Sequence, residues 1–399
     1  MARKIVLAWE HGRNLGHISR LLAISKSVES LGCVPIWVIP PAYFQVEAVR
    51  EAGCEVHAAP AMKSVVAGER GRTESFADIL LSMGFGDSAG LGHWVQDWIA
   101  LFEKLKPDCV LLDYAPAAQL ATYFLRIKAV QITNGFDAPP ADCPVFESSV
   151  RGPYIERRNL QKIERINASF QQIKGLSVNC LPPSLSEYFG HPFRVFDCVA
   201  ETDPYPQRKD GFYIGPLSMP KTVGGEKKAA IWPMSDPVED KLKLFAYLRA
   251  IPDPQLLLDA MCNCNANALC VWPDIPESLL SMHRKNNVRI VREPVDITDA
   301  LGQSHAVVNY GSTTTVCQAL LMGRPQWMIP GDMEKRLAAQ SVANHGAGIV
   351  HDKRKSYSDG LSVLLYSTVL VEAAHRIAKK YSENYFLSRR NHFLMELVT

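Results

Sequence analysis

Four short clusters in this sequence combine residue types that could do chemistry. The first is Gly12-Arg13-Asn14-Leu15-Gly16-His17. It follows the apolar run Lys4–Trp9 and precedes Ile18, Leu21, Leu22, Val28 and Leu31, which fall near helical spacing. A strand, a glycine-containing turn and a helix start can cradle an anion on the helix's first N–H groups. The turn lacks the Gly-Lys-Ser/Thr of a P-loop and is not a full dinucleotide fingerprint. His17 stands at its mouth. The partial positive charge of a helix N-terminus disfavours imidazolium. A neutral imidazole is what a general base needs. A histidine that only caps or packs would occupy the same place, and position alone does not separate the two.

Asp113 ends the buried-strand run Val110-Leu111-Leu112 and so faces the same edge as His17. It could accept a hydrogen bond from the imidazole, fix its tautomer and stabilise the imidazolium. Capping the helix that begins near Ala117 is the commoner use of an aspartate so placed. The third cluster is Asn309-Tyr310-Gly311-Ser312-Thr313-Thr314-Thr315, again strand to turn to helix. Gly311 lets the backbone approach a ligand closely. The hydroxyls and N–H groups of Ser312 to Thr315 make an anion seat. Four consecutive hydroxyl residues exceed what capping requires, which favours a phosphate. The fourth cluster, Pro330-Gly331-Asp332-Met333-Glu334-Lys335, follows the strand Gln326–Ile329. Its acidic and basic side chains could bond sugar hydroxyls, or simply solvate a helix start.

The elements that must carry these clusters alternate. Apolar runs at 4–9, 34–39, 54–58, 108–113 and 129–133 are separated by helical patterns, Phe44–Ala52, Trp94–Leu105 and Ala117–Leu125 among them. Loops surround a short helix, Phe76–Met83, in 60–92. A break rich in Pro and Gly runs from Thr202 to Asp236, and the alternation then resumes with strands at 244–248, 268–272, 288–291, 306–309 and 326–329. The pattern predicts two α/β domains, each a parallel sheet covered on both faces, with a ligand cleft between them. The residues Phe76, Leu80, Met83, Phe85, Trp94 and Phe136 could line an apolar pocket, although core packing accounts for such residues as well.

Composition bounds the rest. The chain has 399 residues, 47% apolar and 21% charged, as in an ordinary globular protein. Lys plus Arg is 43 and Asp plus Glu is 41, so the net charge of +2 gives no global field for nucleic acid or anionic lipid. No apolar run approaches the ~20 residues that span a bilayer. The scattered cysteines form no CxxC pair, and Cys262-Asn263-Cys264 lacks the ligands and spacing of a zinc site. Free thiols point to a cytoplasmic protein.

The block 305–350 resembles the donor-binding signature of nucleotide-sugar glycosyltransferases with the GT-B fold. It reads His305-Ala-Val-Val-Asn-Tyr-Gly-Ser-Thr-Thr-Thr-Val-Cys-Gln-Ala-Leu-Leu-Met-Gly-Arg-Pro325, then Ile329-Pro330, Glu334-Lys335 and Gly346-Ala347-Gly348. The inverting plant, antibiotic and sterol enzymes are the most similar group. Gly16-His17 resembles the family's N-terminal Gly-His, whose histidine is the catalytic base. Asp113 falls where the family keeps that base's aspartate, and Tyr213-Ile214-Gly215-Pro216-Leu217 is similar to the segment that leads into the linker. Five positions depart from the pattern. The family's diphosphate-contacting histidine is Asn309, its second glycine is Ser312, its ribose-holding acid is Gln318, and its Asp-Gln is Glu334-Lys335. Val295 aligns with the loop that holds the nucleobase.

The resemblance implies an α/β GT-B protein with two Rossmann-like domains facing a central cleft. Residues 1–205 would bind the acceptor, 206–236 would link, 237–380 would bind the donor, and the helix 381–399 would cross back to the first domain. It implies an inverting, metal-independent transferase with His17 as base and Asp113 as its partner. The donor would be a UDP- or dTDP-sugar, held by Val295, Asn309, Gly311, Ser312, Thr313, Thr314, Thr315, Gln318, Glu334 and Lys335, with Gly12 and Gly16 shaping the N-terminal loop. No further cofactor is implied, and the acceptor would be a small or lipid-like molecule. Two rivals share the fold: a nucleotide-sugar 2-epimerase, and a non-catalytic protein that binds a nucleotide sugar or a partner.

Overall fold

The computed structural model describes residues 2–12, 15–62, 73–146, 152–173, 175–209, 211–217, 229–233, 241–282 and 287–399. Arg13 and Asn14 of the first cluster lie outside the described residues, as do parts of the 60–92 and 134–150 loops and of the 206–236 stretch.

The chain divides into two compact units. Unit 1 holds Met1–Asp197, Tyr205–Val223 and Leu387–Thr399; unit 2 holds Cys198–Pro204 and Gly224–Phe386. The Pro- and Gly-rich break is therefore shared between them.

Unit 1 is built on β1 (Lys4–Trp9), β2 (Val34–Ile39), β3 (Glu55–Ala58), β4 (Cys109–Asp113), β5 (Ala129–Thr133) and β6 (Phe193–Phe196). They form one parallel sheet in the order β3-β2-β1-β4-β5-β6. Unit 2 is built on β7 (Leu242–Tyr247), β8 (Ala266–Val271), β9 (Val288–Val291), β10 (Ala306–Asn309), β11 (Gln326–Met328) and β12 (Gly348–Val350). Its order, β12-β11-β10-β7-β8-β9, repeats that of unit 1 when counted from its own first strand. Helices cover both faces of such sheets, so the strands are continuous apolar runs rather than alternating ones. Every residue of β4 and β8 is buried.

In each sheet the order reverses once, between β1 and β4 and between β7 and β10. Helices leave to opposite faces at such a point and open a crevice at the strands' carboxyl ends. The register sets Trp9 beside Asp113 in unit 1 and Tyr247 beside Asn309 in unit 2. The chemistry-bearing clusters thus sit where this topology makes crevices.

Several elements differ from the periodicity. The helix expected over Trp94–Leu105 runs Ser88–Leu105, its N-terminus capped by Asp87, which accepts from the Ala89 N–H at 3.1 Å. Gly90 and Gly92 dilute the pattern in its first turns. The helix expected over Phe44–Ala52 is a short turn, Pro41–Tyr43, and a helix over Glu47–Glu51 only. A long polar stretch forms the helix Pro153–Gln171.

The last helix spans Glu383–Val398. Its Phe393 and Leu397 are buried in the unit 1 core with Ile5, Leu7 and Trp37. Arg390 fastens it by donating to the carbonyls of Ile214 at 2.9 Å and Pro216 at 3.0 Å. Of the aromatic and apolar residues around 76–136, all named above but Met83 are buried. They pack on one another, Phe76 edge-on to Phe136 at 5.9 Å for instance. Among the described residues no single helix is long and apolar enough to cross a membrane. No disulfide joins the cysteines among the described residues. Among the described residues no group of His, Cys, Asp and Glu is arranged to hold a metal.

Candidate active site

His17 lies in the first turns of the helix Leu15–Ser30, which β1 delivers to the crevice of unit 1. Its Nδ1 is 2.9 Å from Asp113 Oδ1. Asp113 acts only as an acceptor when ionised, so the hydrogen sits on Nδ1 and Nε2 keeps its lone pair. The imidazole stacks on the buried indole of Trp9, with centroids 4.8 Å apart and planes at 19°. Gly12, at φ +110°, stands against the other edge: a Cβ there would be 2.3 Å from His17 Nε2. Trp9, Gly12 and Asp113 therefore set the plane, edge and tautomer of the ring. Gly16 is different, because a side chain there would meet nothing within 4 Å.

Asp113 is buried, and its Oδ1 is shared. Arg20 Nη1 donates to the same oxygen at 2.5 Å. Arg20 also grips Asp197 with two bonds, Nε to Oδ2 at 2.8 Å and Nη2 to Oδ1 at 3.1 Å. Burial pushes the Asp113 carboxyl up, but Arg20 and then His17 outweigh it and hold the group below its ordinary range. A further acid, Asp137, accepts from Thr133 Oγ1 and from Gln131 Nε2. Burial pushes it up to about 6, and the neighbouring Asp113 adds to the rise. Sequence reading missed Arg20, Asp137, Asp197 and the stacking role of Trp9. The signal for Arg20 was there: a cation one turn beyond His17, on a helix whose buried residues are apolar but for Ser25.

Asp113 does not cap the helix Pro116–Leu125. That task falls to Glu10, which accepts from the N–H groups of Ala117 at 3.0 Å and Ala118 at 2.7 Å. Burial pushes Glu10 up to about 8, against the pull of these two bonds. Burial also lowers the adjacent His11 to about 4. Unfolded, Glu10 loses its proton near 4.5, so between that pH and about 8 the folded state binds more protons and stability falls as pH rises. His11 acts in the opposite sense and Asp137 in the same sense, but both do so below about 6.5. Glu10→Gln is expected to flatten the decline in urea-unfolding stability between pH 6.5 and 8. A variant that kept the parent's slope there would assign the decline to another group.

In unit 2 the third and fourth clusters are packed together. Gly311, at φ +84°, faces the second turn: a Cβ on it would be 3.1 Å from Lys335 Cβ and 3.4 Å from the Lys335 carbonyl oxygen. Asn309 is fully buried. Its Oδ1 accepts from the Gly311 N–H at 2.8 Å, and its Nδ2 donates to Gln326 Oε1 at 2.8 Å. Gln326 in turn donates to the Val316 carbonyl at 2.9 Å. This buried chain of amides ties the turn to the helix Thr313–Leu321 and to β11. Gln326 is a further residue that sequence reading missed; a polar residue opening a buried strand was its signal.

Ser312 occupies the N-cap of that helix without a capping bond from its side chain. The hydroxyl residues are not equivalent: Ser312 and Thr313 are half-buried, Thr314 is exposed and Thr315 is buried. Asp332 caps the helix Met333–Asn344 through the Lys335 N–H at 3.0 Å and also pairs with Lys335 Nζ. That ammonium lies 5.8 Å from the centre of the Tyr310 ring. Glu334 and Gln318 are half-buried. Val295 is partly buried against the unit 2 core, as are Trp232 and Ile297.

No protein-family model matches this sequence, and no curated protein matches it either. Solved structures do. The glycosyltransferase of kitacinnamycin is 15% identical with a TM-score of 0.67, covering 100% of both chains. CalG4, the calicheamicin glycosyltransferase, is 15% identical with a TM-score of 0.68 over 97% of this chain and 95% of that one. The glycosyltransferase VinC, in complex with dTDP, is 15% identical with a TM-score of 0.61 over 99% of each. Identities this low establish a shared architecture, which together with the two six-stranded parallel sheets makes this chain a protein of the GT-B fold.

Proposed function

We propose that the protein is an inverting glycosyltransferase that moves a sugar from a nucleoside diphosphate to an acceptor hydroxyl. The observation that carries this reading is the bond from His17 Nδ1 to Asp113, which leaves Nε2 as a lone pair at the switch point of unit 1. In this reading Nε2 takes the acceptor proton. The acceptor oxygen then forms a bond to the anomeric carbon as the carbon–oxygen bond to the diphosphate breaks. Asp113 stabilises the imidazolium. The negative charge that builds on the departing diphosphate is met by the first N–H groups of the helix Thr313–Leu321 and by the hydroxyls of Ser312, Thr313 and Thr314.

The residues of unit 2 take distinct parts. Asn309 acts by holding the Gly311 turn, since both ends of its amide are engaged within the protein. Thr315 is buried and acts in the same structural way. Gln318 and Glu334 accept from ribose and sugar hydroxyls, Lys335 adds a positive charge, and Val295 borders the nucleobase. The chemistry calls for no metal. The acceptor is a small or lipid-like molecule, and the dTDP bound by VinC supports a dTDP-sugar as donor.

Thermal unfolding with dTDP and UDP, each with and without EDTA, tests the donor seat. A ligand that binds only the folded state at about 100 times its Kd adds about 2.7 kcal/mol of stability. The expected result is a rise in Tm with dTDP that EDTA leaves unchanged. Gly311→Ala should cut that rise sharply, because the position has φ +84° and the added Cβ would stand 3.1 Å from Lys335 Cβ. If no nucleoside diphosphate shifts the Tm, the chain does not bind such a donor and the reading fails.

A further inference from the structure

Arg20 has no part in the mechanism above, yet it is the most heavily bonded side chain near the base. Its guanidinium uses all three nitrogens, two on Asp197 and one on the oxygen of Asp113 that also meets His17. The three partners come from different places in unit 1: Asp113 from the end of β4, Asp197 from the residue after β6, and Arg20 from the helix that carries His17. The groups are enclosed, with side-chain exposures of 13% for Arg20, 8% for Asp197 and 1% for Asp113. Fork-on-carboxylate bonding of this kind fixes geometry as well as charge.

The charges around the base are His17 and Arg20 on the helix, Asp113 from β4, Asp137 from beyond β5 and Asp197 from beyond β6. A carboxyl buried like Asp113 without a cation would hold a proton. Protonated, it could not balance an imidazolium. With Arg20 present the carboxylate persists, and its shared Oδ1 faces Nδ1 of His17. We propose that Arg20, gripped by Asp197, is a positioning residue for the base: it keeps Asp113 ionised and its Oδ1 aimed at Nδ1 of His17. The inference rests on the reading of His17 as base, but its main test needs no substrate.

The Asp113 carboxyl is titrated by carbon-13 NMR in the full-length chain and in two variants. Arg20→Met removes the cation and should raise the Asp113 midpoint by about one pH unit or more, a tenfold gain in proton affinity. Arg20→Lys keeps the charge and should leave it near the parent's value. A rise in the first beside little change in the second supports the proposal. An Asp113 midpoint that stays fixed in Arg20→Met means that Arg20 only packs, and overturns it. Should Arg20→Met fail to fold, Arg20→Gln, which keeps hydrogen-bond donors without the charge, decides by the same two outcomes. In transfer assays Arg20→Met should lower kcat and leave the donor KM unchanged, and Arg20→Lys should recover part of the loss. A parent protein that transfers no sugar would refute the functional reading, while the titration would judge Arg20 independently.

Discussion

His17→Ala is expected to lower the turnover of sugar transfer by about 10²-fold or more, the scale usual for a general base. The donor KM should change little, because the imidazole belongs to unit 1 and the proposed diphosphate seat to unit 2. Steady-state kinetics at varied donor concentration separates the two parameters. The fold should tolerate the change, since the imidazole is 18% exposed and lies on the face of Trp9 rather than inside the core. Asp113→Asn makes an informative companion. His17 and Arg20 both bond Oδ1, so an amide can present its oxygen to both and lose only the charge. A variant without His17 that turned over at the parent's rate would remove the base from the mechanism.

Gly12→Ala should cost nearly as much activity as the loss of His17 itself. The position has φ +110°, where an alanine is strained, and its Cβ would stand 2.3 Å from Nε2, the atom assigned to the proton. The imidazole would have to leave the Asp113 bond or the Trp9 face to make room. The expected result is a large fall in kcat with a donor-induced thermal shift like the parent's, which ligand-free and dTDP-bound melting curves will compare. Turnover close to the parent's would mean that the ring can act from another position. The contrast with Gly16 is sharp, because a methyl group there meets nothing within 4 Å.

Both candidate clusters stand out in the sequence because their residues lie where strand becomes helix. The run Lys4–Trp9 followed by Gly12 and His17, and the run Ala306–Asn309 followed by Gly311 and Thr313, each announce a crevice-forming turn in local sequence. What local sequence does not carry is the set of partners brought in from afar. Asp197 is joined to Arg20 across 177 positions, and no motif surrounds it. Glu10 capping a helix that starts beyond residue 115 is the same kind of contact. Asn309 shows a different limit. Its residue type suited a ligand contact, but the donors and acceptors of Gln326 and Gly311 turn it inward, and only coordinates reveal that choice. The helix Pro153–Gln171 escaped because the stretch is polar in composition, although Ile163, Ile166 and Phe170 fall at helical spacing; its buried residues are Asn159, Ile166, Ser169 and Phe170.

The placement of Phe393 and Leu397 in the core of unit 1 bears on how the protein is made. These residues follow all of unit 2 in the chain. As the polypeptide leaves the ribosome, unit 2 has every segment it needs once Phe386 has emerged, whereas unit 1, begun first, still lacks the helix that covers Ile5, Leu7 and Trp37. The half of the molecule synthesised earliest is thus the last to be sealed. Until then an apolar face on a nearly finished sheet stays open, the kind of surface that chaperones hold.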